Sequence, residues 1–595
     1  MDQSADGFEI AGTLEELRAK GQFLLRGRHR PVLVVYDHGF VYALDNRCPH
    51  MGFPLDKGTI EDGILTCHWH HARFDVASGC TFDLWADDVP SCPVEVRGNE
   101  IWVNPTFGEG DARLHCERRL TDGLSHRIGL VIAKSVQGLL AAGVPPHDIV
   151  RQAALFGVRN RDGWSSGLTI LTALGNLVPC LGAEEVYVAL YHGARRVAND
   201  CADEAPRRGR DPLSSAPDLS TLKRWFRHWA AARHREGAER TLLTALAAEA
   251  SPAELADLLF AAETDRVFAG GGHSLDFINK AFECLDLIGW EHATKVLPTI
   301  VEGTVMARGA AESTAWRQPI DLIALLEDVF TEIPDLFIDG AGGAWDGHES
   351  LAHDLLADDP EGVVDSLKGA ILAGAAPVDL GRSLAYAAAL RLARFGEANE
   401  QSDWETAHHA FTYCNAVHQA LKRIGGLPAG GGYVEAVRGV FHGAMAVYLS
   451  RYLNVPPAPI PGDEGVGLDG LPSDGEKLLA ALLEAFDRPG QVDLSARIVA
   501  RFLERGNSPD ALISTLGRAL LREDAGFHAY QLFEAGVKQF REWGDSDPGR
   551  HVLIGVTRYL VAHSPTTRSI AQTARTAEKL MRGAQIHEDN PADAS

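Results

Sequence analysis

The chain has 595 residues with 45% hydrophobic content, enough for several domains with sizeable cores and too apolar for a disordered polypeptide. Its formal net charge of −25 argues against nonspecific binding to nucleic acid or an anionic membrane, which needs clustered Lys and Arg. Nine cysteines in so long a chain make no dense disulfide framework and suit a reducing compartment.

The start, Met1 to Asp6, has neither a basic region nor an apolar stretch, so no secretory leader is expected. The longest apolar run, Leu168 to Ala183, is interrupted by Asn176 and Pro179 and is too short to span a bilayer. A soluble, cytoplasmic protein without a membrane partner is the expectation. The first ordered elements are predicted as hairpins. Val32, Val34 and Tyr36 alternate before an Asp37-His38-Gly39 turn, and Val94 and Val96 alternate before Gly98-Asn99, with Ile101 and Val103 beyond it.

Between these hairpins stand Cys48-Pro49-His50 and Cys67-His68-Trp69-His70. Gly52 and Pro54 follow the first pair and Gly63 precedes the second, so both lie on loops that can close on one centre from opposite sides. Two thiolates can hold one iron and two imidazoles the other, the ligand set of a [2Fe-2S] centre with mixed ligation. A Cys48–Cys67 disulfide is an alternative, but it leaves His50 and His70 without a role. A Cys2His2 zinc site uses the same residue types, yet zinc spacing groups Cys with Cys and His with His. Each loop here is mixed, which favours the two-iron cluster. By spacing, His70 is a better ligand than His68 or His71, and Cys80 and Cys92 read as ordinary buried thiols.

With the His71-Ala72-Arg73-Phe74-Asp75 run added, residues from about Phe8 to Pro105 resemble a Rieske domain of the soluble ferredoxin or nitrite-reductase-small-subunit type. The resemblance implies small antiparallel sheets and one [2Fe-2S] Rieske cluster at the tip of two loops, held by Cys48, His50, Cys67 and His70. Respiratory relatives carry an extra Cys in each loop and Ser and Tyr hydroxyls against the cluster. Phe53, Trp69, Ala72 and Phe74 stand at the matching positions here. The implied potential is therefore low within the Rieske range of about −150 to +300 mV. Electrons are expected from a soluble reductase or ferredoxin and should pass through the His50 and His70 edges.

Beyond Pro105 the texture becomes Ala- and Leu-rich with helical periodicity. Val131, Ile132, Val136, Leu139 and Leu140 share a face that Gly143 and Pro145-Pro146 terminate. The basic run Arg207, Arg208 and Arg210 lies among acids and reads as a solvated loop. Ser135 to Asp148 then recurs as Ser366 to Asp379, Trp164 as Trp404, Glu185 to Ala194 as Glu435 to Ala444, and Ser251-Pro252 as Ser508-Pro509. Gly272-His273 and Phe277 recur as Phe527-His528 and Phe533. The same order throughout implies duplication. The predicted architecture is a small all-β domain, residues 1–106, followed by a large all-α region of two tandem helical repeats, residues 115–335 and 348–580, joined by the Gly-rich stretch Ile338 to Gly347.

The repeated histidines raise the question of a second iron site. His192 with His442, and His273 with His528, would offer four imidazoles, whereas Glu185 and His192 lie ~10 Å apart along one helix and cannot share an ion. A di-iron bundle needs two Glu-x-x-His motifs, and only Glu405-Thr406-Ala407-His408 is found. His348 and His353 have a suitable spacing, but Trp345 occupies the position of the acid. Tyr191-His192-Gly193-Ala194-Arg195-Arg196-Val197 and Gly272-His273-Ser274-Leu275-Asp276-Phe277 resemble motifs of questin-oxidase-like proteins, a helical group that includes ring-opening oxygenases. That resemblance implies substrate or oxygen chemistry for His192, Arg196 and His273. The second copy departs from it, with Ala446 in place of Arg196.

These readings combine into an oxidoreductase that relays single electrons to the oxygenation of a small organic substrate in the helical region. A non-catalytic electron-transfer or redox-sensing module on a protein-binding helical scaffold is the alternative. In a third reading the helical part is a metal-free catalyst, with the small domain as a docking or stability element.

Overall fold

The computed structural model describes residues 7–26, 30–106, 112–425, 433–453, 455–462 and 467–583. Met1 to Asp6, on which the leader expectation rests, lie outside them. Contacts divide the chain into two compact units, Met1–Pro145 with Ala571–Ser595, and Pro146–Ile570.

Three antiparallel three-stranded sheets make up the β part of the first unit. Glu100–Val103 lies between Glu9–Thr13 and Val94–Arg97; Val32–Asp37 lies between Gln22–Leu25 and Phe40–Asp45; Ile64–Thr66 lies between Thr59–Glu61 and Arg73–Asp75. Both predicted hairpins form. Asp37 pairs with Phe40 across His38-Gly39, and Arg97 with Glu100 across Gly98-Asn99. His38 and Gly39 both take positive φ, 46° and 93°, the left-handed backbone that tight hairpins require.

The strand Val32–Asp37 departs from the alternation expected of it, because Val32, Leu33, Val34 and Val35 are all buried. Leu33 and Val35 pack into a cluster containing Cys48, Cys67, Ala72 and Phe74, while Val32 and Val34 pack against Ile101, Val103 and Cys92. A strand covered on both faces reads as a continuous apolar run. Each such side chain contributes about 1.5–3 kcal/mol by leaving water, so this strand is a rigid floor beneath the cysteine loops. Cys92 is buried as expected; Cys80 is exposed and corrects that expectation. It follows an Asx-type turn in which Asp75 binds the Ala77 and Ser78 amides, and this turn carries the chain out to solvent.

The helices Ala112–His126 and Gly129–Ala141 group with this unit, although the sequence division put them in the first helical copy. Gly129–Ala141 ends where expected, before Gly143 at φ 76°, and Pro146 opens the next helix.

The second unit is helical. Pro146–Asn160, Ser166–Leu177, Ala183–Asp200 and His273–Ile288 occur in that order, and Pro377–Ala393, Gln401–Ile424, Tyr433–Leu449 and Phe527–Trp543 follow in theirs. Ser166–Leu177 and Gln401–Ile424 each pack against both His273–Ile288 and Phe527–Trp543, so helices from the two halves of the unit interlock. Lys280, Glu283 and Glu534 are buried at this junction and form ion pairs there. Buried ions are tolerated when fully paired and are costly when one partner is removed. Ser251 and Glu254 form a reciprocal capping box, whereas Ser508 makes no side-chain cap before Pro509. The stretch Ile338 to Gly347 begins inside the helix Leu322–Asp339, and a turn then leads to His348–Asp354. Among the described residues, no helix is long and apolar enough to cross a membrane.

Candidate functional site

Two loops with the same closure carry the cysteine–histidine pairs. The Cys48 amide donates to Phe53 O and the Gly52 amide to Cys48 O, each at 2.8 Å; the Cys67 amide donates to Ala72 O at 2.8 Å and the His71 amide to Cys67 O at 2.9 Å. Gly52 and His71 therefore hold equivalent positions, and both are left-handed, with φ 80° and 62°. His71 is a turn residue, in keeping with the preference for His70 as ligand.

Cys48 and Cys67 are buried and neither is in a disulfide. The amides of His50 and Met51 face the Cys48 sulfur, those of Trp69 and His70 face the Cys67 sulfur, and the two thiols hydrogen bond to each other. That mutual bond is the main reason the Cys67 thiol falls to about 6 while the Cys48 thiol is raised. The His50 and His70 rings meet edge to face with centroids 4.7 Å apart, and Trp85 packs on His50 at 4.6 Å. Burial, with help from His70 and Lys134, lowers the His50 pKa to about 4, which keeps the ring neutral as a metal ligand must be. His50 Nδ1 is buried without a hydrogen-bond partner. Two adjacent thiols and two adjacent imidazoles, one with an orphaned nitrogen, fit a [2Fe-2S] group with mixed ligands. Phe53 and Trp69 face each other at 6.0 Å, and Ala72 and Phe74 are buried, so these four positions bring no disulfide or hydroxyl to the centre.

In the helical unit the sequence-predicted histidines separate. His192 is buried, with Nδ1 2.7 Å from the Tyr530 hydroxyl, and His442 is buried 3.3 Å from that of Tyr413. Arg196 donates to Ala525 O at 2.6 Å. His273 instead meets His528, rings stacked at 5.5 Å, together with His409, whose Nε2 lies 3.2 Å from His528 Nε2. One ring nitrogen from each of His273, His409 and His528 lies within 4.8 Å of the others. Burial lowers each of these three imidazoles to about 4, so all are neutral near pH 7.

Adjacent His408 is fully buried and neither of its ring nitrogens has a hydrogen-bond partner. Glu405 stands one turn before His409 on the same helix and accepts from Gln401 at 3.2 Å. Gly272 lets the His273 helix begin this close to Gln401–Ile424: a Cβ there would lie 3.1 Å from the Phe268 ring and 3.3 Å from Tyr413 Cβ, at a φ of 93°. Phe277 stacks on His273 at 5.6 Å and, with Ser274, lines a cavity of about 520 Å³. The Glu405-x-x-His408 spacing points to His408 and not to His409, although Glu405 and His409 are four apart and share a helix face.

A family model of the Rieske [2Fe-2S] domain matches residues 10–92. Apoptosis-inducing factor 3 of Homo sapiens is 36% identical over 73 residues, which cover 12% of this chain and 12% of that protein. The toluene-4-sulfonate monooxygenase system iron-sulfur subunit of Comamonas testosteroni is 32% identical over 101 residues, covering 16% of this chain and 29% of the relative. The naphthalene 1,2-dioxygenase system ferredoxin component of Pseudomonas aeruginosa is 28% identical over 74 residues, 12% of this chain and 71% of the relative. The matched stretch thus spans only a small part of the first two relatives, and the helical unit lies outside the family match. From the two closed loops, the neutral buried imidazole and the family match, residues 10–92 are a Rieske [2Fe-2S] domain, an electron-transfer module that binds one such cluster.

Proposed function

We propose that this protein is an oxygenase component in which the Rieske domain takes single electrons from a soluble reductase or ferredoxin and supplies them to the oxygenation of a small organic substrate in the helical unit. Cys48 and Cys67 would hold one iron of the cluster and His50 and His70 the other. Relatives named as parts of monooxygenase and dioxygenase systems support the electron-supplying half of this reading.

The observation that carries the other half is the convergence of His273, His409 and His528. Three neutral imidazoles leaving an open position are a ligand set suited to iron, copper, nickel or zinc. Of these, iron would supply the redox chemistry of an oxygenation. The chain's own contribution is to orient the rings: Phe277 and the stacked His528 fix the plane of His273, and Glu405 stands over the first turn of the His409 face. The cavity beside Phe277 is lined by none of the three imidazoles and adjoins the His273 ring only through Phe277; its volume would admit a small organic molecule. His192 and Arg196 are assigned to supporting this site from the neighbouring helix, through Tyr530 and Ala525 on the segment that carries His528. Duplication of the helical unit accounts for the origin of the ligands, His273 from the first copy and His409 and His528 from the second.

Single-turnover reoxidation tests the reading. Protein reduced at the cluster and mixed with oxygenated buffer and substrate candidates should reoxidise at least tenfold more slowly after His273→Ala. Equal rates in the two proteins would contradict a reaction at the three imidazoles.

A further inference from the structure

We propose that Lys134, from the helix Gly129–Ala141 outside the family match, is a positioning residue that raises the reduction potential of the Rieske centre by holding a buried positive charge on the Cys48–His50 loop. Its ammonium donates to the carbonyl of Pro49 and to that of His50 at 3.4 Å. Both carbonyls belong to the loop that presents one cysteine and one histidine to the centre. Lys134 is only 7% exposed, so its charge is weakly screened by solvent and salt.

The ammonium is held by Asp87 Oδ2 at 3.2 Å, and Arg119 Nε binds the other oxygen of Asp87 at 3.0 Å. Arg119 also donates to Leu84 O and Ala86 O, both at 2.9 Å, and thereby fixes the segment that sets Trp85 against His50. Arg119 also pairs with Asp122 at 3.3 Å, so the network of Lys134, Arg119, Asp87 and Asp122 is formally balanced; what distinguishes Lys134 is its place, with the ammonium on the carbonyls of the Cys48–His50 loop. A cavity of about 270 Å³ beside Cys48 is lined by Arg30, Arg47, Arg119 and Lys134 together with Asp45, Asp87 and Asp88.

Reduction adds one electron to the cluster and no charge to its surroundings. A fixed cation in a low-dielectric site therefore favours the reduced state, and a fixed anion disfavours it. The absence of a loop disulfide and of hydroxyls at positions 72 and 74 lowers the potential; Lys134 opposes that tendency. A carbonyl clamp that worked by shape alone would not depend on the sign of the charge, and this separates the two roles.

Film voltammetry of the full-length holoprotein is the test, with the visible and EPR signatures of the cluster as the check that it is loaded. Lys134→Met should shift the midpoint negative by at least a tenfold change in the reduction equilibrium, 59 mV for one electron. Lys134→Arg should restore most of that shift, and Asp87→Asn should move the midpoint the opposite way. An unchanged midpoint in a loaded Lys134→Met protein overturns the proposal, as does a negative shift in Asp87→Asn. If Lys134→Met fails to load, the sign of the Asp87→Asn shift decides alone.

Discussion

The two metal-competent places in this chain are encoded differently. The Rieske loops are local: each supplies its cysteine and histidine within four residues and closes through the same pair of backbone hydrogen bonds. The imidazole cluster is dispersed, with His273, His409 and His528 on three helices that meet only when the two halves of the helical unit interlock. A local centre tolerates change elsewhere so long as its loops close. A dispersed centre inherits every error in helix packing.

The largest expected effect falls on the local centre. Cys48→Ser or Cys67→Ser should abolish the visible absorption of the cluster, and a variant that kept the wild-type spectrum would remove these loops as its seat. At the dispersed site, His528→Ala should weaken binding of a divalent probe such as Co(II) at least tenfold by spectroscopic titration, with the Rieske spectrum unchanged. Loss of both signals together would show that the two centres are not independent.

Acid should act mainly through the helical unit. Burial holds His192 and His442 at about 3, below the ~6.5 of an unfolded chain, so only the unfolded state takes up their protons between those values. Stability is then complete above pH 6.5 and falls as pH drops toward 3, by about 1.4 kcal/mol per pH unit for each histidine. Burial raises Glu263 to about 7 and Asp276 to about 8. These carboxyls act oppositely, losing stability as pH rises from ~4. His442→Gln should flatten the acid limb of urea-unfolding free energies measured from pH 6.5 to 4.5; an unchanged slope would mean His442 is not held neutral.

The smallest expected effect tests the equivalence of the two loops. His71 sits where Gly52 sits in the first loop, at a left-handed φ that costs a non-glycine residue roughly 1–2 kcal/mol, against 0.5–1 kcal/mol of added chain entropy for glycine. His71→Gly should be neutral or stabilising by up to about 1.5 kcal/mol in thermal unfolding, with the cluster spectrum retained. Loss of the cluster would make His71 more than a turn residue.

What the sequence made legible follows the same division. The hairpins could be read because His38-Gly39 and Gly98-Asn99 are turn chemistry, and the cluster loops because soft and imidazole ligands recur in a fixed pattern. In strand Val32–Asp37 the alternation of Val32, Val34 and Tyr36 signals one covered face, the one that packs on Ile101 and Val103; the second, Leu33 and Val35, is covered by Cys48, Cys67, Ala72 and Phe74, a tertiary contact that no local pattern announces. His409 carries no local signal, because its convergence on His273 and His528 is tertiary. Lys134 is one of the polar positions, with Ser135 and Gln137, of an otherwise apolar helix, and nothing local indicates that it reaches the Pro49 and His50 carbonyls.

The central claim, that a Rieske cluster and a separate imidazole-held iron work in one chain, is tested most directly by counting iron and acid-labile sulfide in protein loaded with iron under anaerobic conditions. The account predicts three irons and two sulfides per chain, falling to two irons with both sulfides retained in His273→Ala. Two irons per chain in the fully loaded wild-type protein would contradict it.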